Sequence, residues 1–348
     1  MSQFSGKISG GGFDELILPR LGFTRPEVSQ GPGFGVDVSV VDIGHGMGLA
    51  LTSDPLSIIP SLGLAESAWL SVHLMANDMA TTGFSPMYAQ MVLNLPPTLT
   101  QQDFVVYWEH VHRYCKAIGV AITGGHTGSI EGQNSTIAGG GTMLLTAPLN
   151  NILLSSKAQP GDLIIVTKEC ALSSAAILAM SFPETVKQKL GKEVYEDCCS
   201  LFEQTSSLPD ALTAAATGHL TAMHDVTEGG VLGAVYEMAT ASGLGVNVYN
   251  ELLPIGHAQQ QITQLFDIDP RFCIGAGAMV MAVKPGAEHI VLAALRSKQI
   301  KATVIGEFIP QGQGRHLIDN ENVAQPLPYY EKDPYWAAFF KAYQQGWK

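Results

Sequence analysis

Four aspartates lie where one periodic run gives way to another, each with turn-forming or small neighbours. They are Asp37 in Gly-Pro-Gly-Phe-Gly-Val-Asp, Asp54 in Leu-Thr-Ser-Asp-Pro, Asp78 in Ala-Asn-Asp-Met-Ala and Asp225 in Met-His-Asp-Val-Thr-Glu-Gly-Gly. Hard cations such as Mg2+ take carboxylate oxygens together with phosphate oxygens, so separated aspartates that converge on one cleft read as a nucleotide-metal site. Taken singly, each reads as a local turn or cap residue. The metal reading belongs to the set.

Glycine-rich stretches are the candidates for holding phosphate. Lys7-Ile8-Ser9-Gly10-Gly11-Gly12 offers consecutive amides that can approach an anion, and it reads equally as a mobile N-terminal tail. Thr123-Gly124-Gly125-His126-Thr127-Gly128 follows a strand-like run, and the Gly124-Gly125 pair predicts a sharp turn there. His126 then reads either as a hydrogen-bonded turn histidine or as a catalytic group. At Asp225-Val226-Thr227-Glu228-Gly229-Gly230 a helix is expected to begin, so its amides face whatever Asp225 faces. An ordinary Asp or Thr cap with Glu228 in the first turn fits the same spacing. The other nine histidines, His224 among them, show no ligand motif and read as structural or solvated.

The elements that must position these residues alternate. Strand-like runs are predicted at 36–43, 48–52, 87–93, 120–123, 142–146, 163–167, 278–283 and 301–305. Helical periodicity predicts helices at 64–82, 172–180, 184–203, 230–241 and 287–297, and one that Thr100 caps through the Asp103 amide and that stops at Gly119. Turn-rich residues at 149–158 place a domain boundary there, dividing the chain into 1–150 and 151–348.

Composition narrows the function. The chain has 348 residues, 46% apolar, with mean hydropathy +0.16, enough for one or two full cores. Its 19 basic and 31 acidic residues give a net charge of −12, which argues against a nucleic-acid or anionic-membrane partner and calls for a metal bridge to any phosphate. No signal-peptide core and no membrane-length apolar run is present, so a cytoplasmic protein is expected. Five cysteines without a Cys-x-x-Cys pair indicate neither a disulfide framework nor a zinc site. No Gly-x-Ser-x-Gly nucleophile motif occurs.

In their order along the chain, Gly10–Gly12, the Gly-x-Gly-x-Asp at 33–37, Thr52-Ser53-Asp54-Pro55, Asn77-Asp78, Gly124-Gly125-His126-Thr127 and Asp225-Val226-Thr227-Glu228-Gly229-Gly230 resemble the landmarks of the aminoimidazole ribonucleotide (AIR) synthetase, or PurM-like, superfamily. The likeness runs over about residues 5–310 and is greatest to the AIR synthetase-related and HypE-like members. It implies a two-domain fold, an N-terminal α/β domain forming a dimer barrel and a C-terminal α+β domain, with ATP in the long cleft. It also implies that Asp37, Asp54, Asp78 and Asp225 hold Mg2+ and the phosphates, that Asn77 supports Asp78, and that Lys7 with Gly10, Gly11 and Gly12 closes over the triphosphate. Gly124, Gly125, Thr227, Gly229 and Gly230 complete the expected nucleotide contacts, and Asp225 and His126 are the candidate catalytic residues. The implied chemistry is transfer of the γ-phosphate to an amide, carbonyl or similar oxygen of an unidentified acceptor. Other outcomes the resemblance allows are AIR synthetase itself or a non-catalytic nucleotide-binding scaffold. HypE modifies a cysteine at its own C-terminus, whereas this sequence has none after Cys273, so a separate acceptor is expected. A homodimer is implied too, with the apolar stretch 87–93 as a candidate for its covered strands.

Overall fold

Two sheets form because two sets of strands each carry apolar side chains that helices cover. The structure is a computed structural model that describes Ile8 and residues 10–348. The first half runs α1 (Gly10–Leu16), β1 (Val28–Gln30), β2 (Ser39–Asp42), β3 (Met47–Ser57), α2 (Leu64–Ala80), β4 (Tyr88–Leu95), α3 (Gln101–Ala117), β5 (Ala121–Ser129) and β6 (Ile137–Pro148). Its strands lie in the order β1-β2-β3-β6-β4-β5, antiparallel except for β4 against β5. Alternation decides the faces: Ala50, Thr52 and Leu56 of β3 are buried while Ser53 and Pro55 are exposed. Val72, Met75, Ala76 and Met79 of α2 fill the core on the buried side. The expected cap of α3 is present, with the Thr100 hydroxyl accepting from the Asp103 amide at 3.1 Å and the Asp103 carboxylate accepting from the Thr100 amide.

The second half contains β7 (Leu163–Thr167), α4 (Leu172–Ser181), α5 (Pro183–Leu190), α6 (Lys192–Ser200), α7 (Leu208–Ala215), β8 (Leu220–Asp225), α8 (Gly230–Ala241), β9 (Leu244–Tyr249) and α9 (His257–Leu265). It continues through β10 (Met279–Val283), α10 (Glu288–Ser297), β11 (Ala302–Pro310), β12 (Arg315–Ile318), β13 (Ala324–Pro326) and α11 (Pro334–Gln344). The sheet order is β13-β12-β9-β11-β7-β10-β8, with only β12 and β9 parallel. Both faces of its centre are covered. Ile164, Val166 and Val280 pack with Val231, Leu232 and Val235 of α8, whereas Ile165, Met281 and Val283 pack with α7 and α10. A separate helical core gathers α4, α6, α9 and α11 near Phe182.

Several local expectations change. The predicted helix 184–203 is two helices, broken at Gly191, whose φ is 90°. β3 does not stop before Asp54-Pro55 but continues to Ser57; β2 pairs with it only as far as Leu51, so beyond that point a proline meets no second neighbour. Likewise β5 runs straight through Gly124, Gly125, His126 and Thr127, where a turn was expected. Gly125 permits this at φ 146°, because a Cβ there would collide with the Met91 carbonyl. Among the described residues, no helix is long and apolar enough to cross a membrane.

Candidate active site

The four aspartates meet where the two halves of the chain face each other. Asp54 lies within β3 opposite Gly141, on the same face as Thr52, and the Thr52 hydroxyl donates to Asp78 Oδ2 at 2.7 Å. Asp78 sits in the last turn of α2, Asp37 just before β2, and Asp225 at the end of β8. The loop before Asp37 can approach α8 because Gly35 has φ 72° and lies against the Glu237 carbonyl, where a Cβ would collide. Burial and then the charges of Asp225, Asp54 and Asp37 push the Asp78 carboxyl well above the usual value, while the Thr52 hydrogen bond lowers it only in part. Carboxylates gathered this closely form a hard-oxygen donor set that suits a divalent cation such as Mg2+.

His224 belongs to this cluster, and sequence reasoning missed it. One atom each of Asp37, His224 and Asp225 lies within 4.8 Å of the others. His224 Nδ1 donates to the Asp37 carboxylate at 2.7 Å from Oδ1 and 2.8 Å from Oδ2, and Nε2 faces Glu237 Oε2 at 3.4 Å. Burial opposes a charge on the ring, but Asp37 and Glu237 outweigh it and hold the His224 pKa well above its ordinary value. Both ring nitrogens face carboxylates, Asp37 on one side and Glu237 on the other, which makes His224 a hydrogen-bonding partner of the clustered oxygens. Its adjacency to Asp225 was the one available signal.

The start of α8 differs from expectation. Instead of facing outward for phosphate, the Gly229 amide donates to Asp333 Oδ2 at 2.7 Å, and the Gly230 amide donates to the Thr227 carbonyl at 3.2 Å. The Thr227 carbonyl also accepts from the Gly275 amide. Burial pushes the Asp333 carboxyl up to about 7, against the hydrogen bonds from the Gly229 and Tyr335 amides. Trp336, on the first turn of α11, donates through Nε1 to Glu228 at 2.8 Å. Gly229 thus serves first as a docking point of the C-terminal segment.

The remaining candidates separate from the cluster. Asn77 does not turn toward Asp78: its amide donates to the Thr205 carbonyl at 2.9 Å and accepts from the Ser207 amide at 2.7 Å, joining α2 to the second half. Lys168 secures the same loop through the carbonyls of Gln204 and Ser206, together with Asp210 and the Gly277 carbonyl. His126 pairs with Val92 on the exposed face of the first sheet, opposite the face of Asp54, so the sheet separates it from the aspartates. Gly125 shares a cross-sheet row with Met91, Gly141 and Asp54, three strand spacings or about 14 Å away. Gly124 is exposed on the same edge strand. Gly10, Gly11 and Gly12 begin α1 and form no loop, and Lys7 lies outside the described residues. All five cysteines are free, and burial pushes the Cys115, Cys170 and Cys198 thiols up to about 12. None of these three offers a ready thiolate.

Comparison with known proteins matches residues 35–144 to the AIR synthase related protein N-terminal domain and residues 159–319 to the corresponding C-terminal domain. The chain is 28% identical over 268 residues to carbamoyl dehydratase HypE of Escherichia coli (strain K12), a match covering 74% of this chain and 75% of that protein. Its fold superposes on HypE in a HypE–HypF complex with TM-score 0.73 at 18% identity, covering 92% of this chain and all of that one. HypE in complex with ATP gives TM-score 0.69 at 17% identity, covering 93% of each chain.

Proposed function

Since the chain belongs to the AIR synthase related proteins, we propose that it is an ATP- and Mg2+-dependent enzyme that phosphorylates an amide, carbonyl or similar oxygen of a small or protein-borne substrate. The convergence of Asp37, Asp54, Asp78 and Asp225, whose charges add to burial in pushing the Asp78 carboxyl well up, is the observation that carries this reading. The relative named carbamoyl dehydratase supports an amide-type acceptor, and the similar fold with ATP bound supports ATP as the donor. Bound Mg2+ supplies charge neutralisation at the phosphates. Asp37, Asp54 and Asp78 would hold it from the first half and Asp225 from across the junction. Thr52 orients the Asp78 carboxylate, and His224 orients that of Asp37. Phosphorylation turns the acceptor oxygen into a leaving group, and no protein nucleophile is needed. With a net charge of −12, the protein repels free triphosphate, so ATP should bind only with the metal. Calorimetric titration with ATP, with and without Mg2+, tests this. Affinity that survives chelation would overturn it.

The same reading includes a homodimer through the first sheet. Tyr88 and Val92 are each 42% exposed and Ile137 44% exposed on or beside its open face, and β5 forms its edge. A second copy would cover these side chains and the edge.

A further inference from the structure

Beyond β13 the chain returns to the site and touches it three times. Tyr329 donates its hydroxyl to Glu237 Oε1 at 3.2 Å, Asp333 accepts from the Gly229 amide, and Trp336 donates to Glu228. This segment lies past residue 319, where the match to the family's C-terminal domain stops. The Tyr329 contact continues inward. Glu237 Oε2 faces His224 Nε2, and His224 Nδ1 grips both oxygens of Asp37. Glu237 and His224 are each 3% exposed, so this chain of polar groups runs through protein rather than solvent. Glu237 also holds the Asp37 loop by its backbone, since its carbonyl is what Gly35 packs against. The Tyr329 ring is fixed independently of its hydroxyl: it stacks on Tyr236 at 4.6 Å and meets Phe34 edge-on at 5.6 Å.

We propose that Tyr329 is a positioning residue for the metal site, acting through Glu237 and His224 on the carboxylate of Asp37. The inference rests on the function proposed above. A carboxylate that must present one particular oxygen to a cation binds better when its rotation is already restricted, and groups one step removed from the ligands typically change metal affinity by about 10–100-fold. Here the restriction begins at a phenol on the C-terminal segment. The docking of that segment and the loading of the site are therefore one property.

The test uses Mn2+ alone as the probe, added to the metal-free full chain without ATP or acceptor, with free Mn2+ read by electron paramagnetic resonance. Tyr329→Phe removes only the hydroxyl and keeps both ring contacts. It should weaken Mn2+ binding by about tenfold while the melting temperature of the metal-free protein stays unchanged. Glu237→Gln, which can accept from Tyr329 or from His224 but not from both, should weaken binding to a similar extent, and the double variant should lose little more than either alone. Wild-type Mn2+ affinity in Tyr329→Phe, or fully additive losses in the double variant, would overturn the relay. Failure of the wild-type protein to take up Mn2+ at all would overturn the proposed function, and this inference with it.

Discussion

Asp78 and Asp333 are acids in this fold to different ends, one raised mainly by burial together with neighbouring carboxylates and the other mainly by burial. Replacing Asp54 or Asp78 by Asn should weaken Mg-ATP binding, by about a hundredfold if each oxygen contacts the cation directly, without lowering the apo melting temperature, which for Asp78→Asn should rise at neutral pH because a buried charge is removed. Calorimetry and a thermal melt of the same samples check both halves of that statement, and a large loss of apo stability would assign these residues a structural role instead. A carboxyl whose pKa is higher in the folded chain than in the unfolded one favours folding at low pH and loses that contribution as pH rises through the folded value. For Asp333 the window runs from the ordinary 3.8 to about 7. Asp333→Asn cannot ionise, so its melting temperature should rise relative to wild type as pH passes through that window; a constant difference would refute the buried-charge account.

At the scale of elements, what was legible followed from local chemistry. The Thr100 cap needs only Asp103, three residues on, and the apolar run of β7 is continuous, so both could be read directly. The residues 220–225 and 244–249 form β8 and β9 without clear alternation because both faces are covered, and neither was predicted. α11 was missed as well, since its aromatic residues show their purpose only against a distant core, where Phe339 meets Phe182. His224 was illegible for a similar reason: its partner Asp37 is 187 positions away in the sequence. The Asp set was legible because turn-like neighbours marked each member, although Asp54 proved to lie inside a strand. Asn77 shows the reverse, in which a residue beside a candidate ligand has the work of joining two elements. Asn77→Ala should leave the Thr205 carbonyl and Ser207 amide unsatisfied and cost about 2 kcal/mol or more in chemical denaturation. An unchanged denaturation midpoint would show that the bridge contributes nothing.

For the molecule as a whole, the open face of the first sheet predicts assembly. Light scattering should give twice the chain mass of 37.0 kDa, and Val92→Asp, which would place a charge in the covered face, should give monomers. A wild-type mass of one chain at micromolar concentration would count against the dimer. The Asn77 bridge has one more consequence. Ser207 lies between helices, where a backbone amide ordinarily trades its hydrogen with solvent quickly, yet here its N–H is buried and held by a side chain from the opposite half of the chain. Its deuterium uptake is therefore a clock for the parting of the two halves: slow in the resting protein, synchronous with the exchange of neighbouring amides that depend on the same opening, and slower again once Mg-ATP ties the halves together.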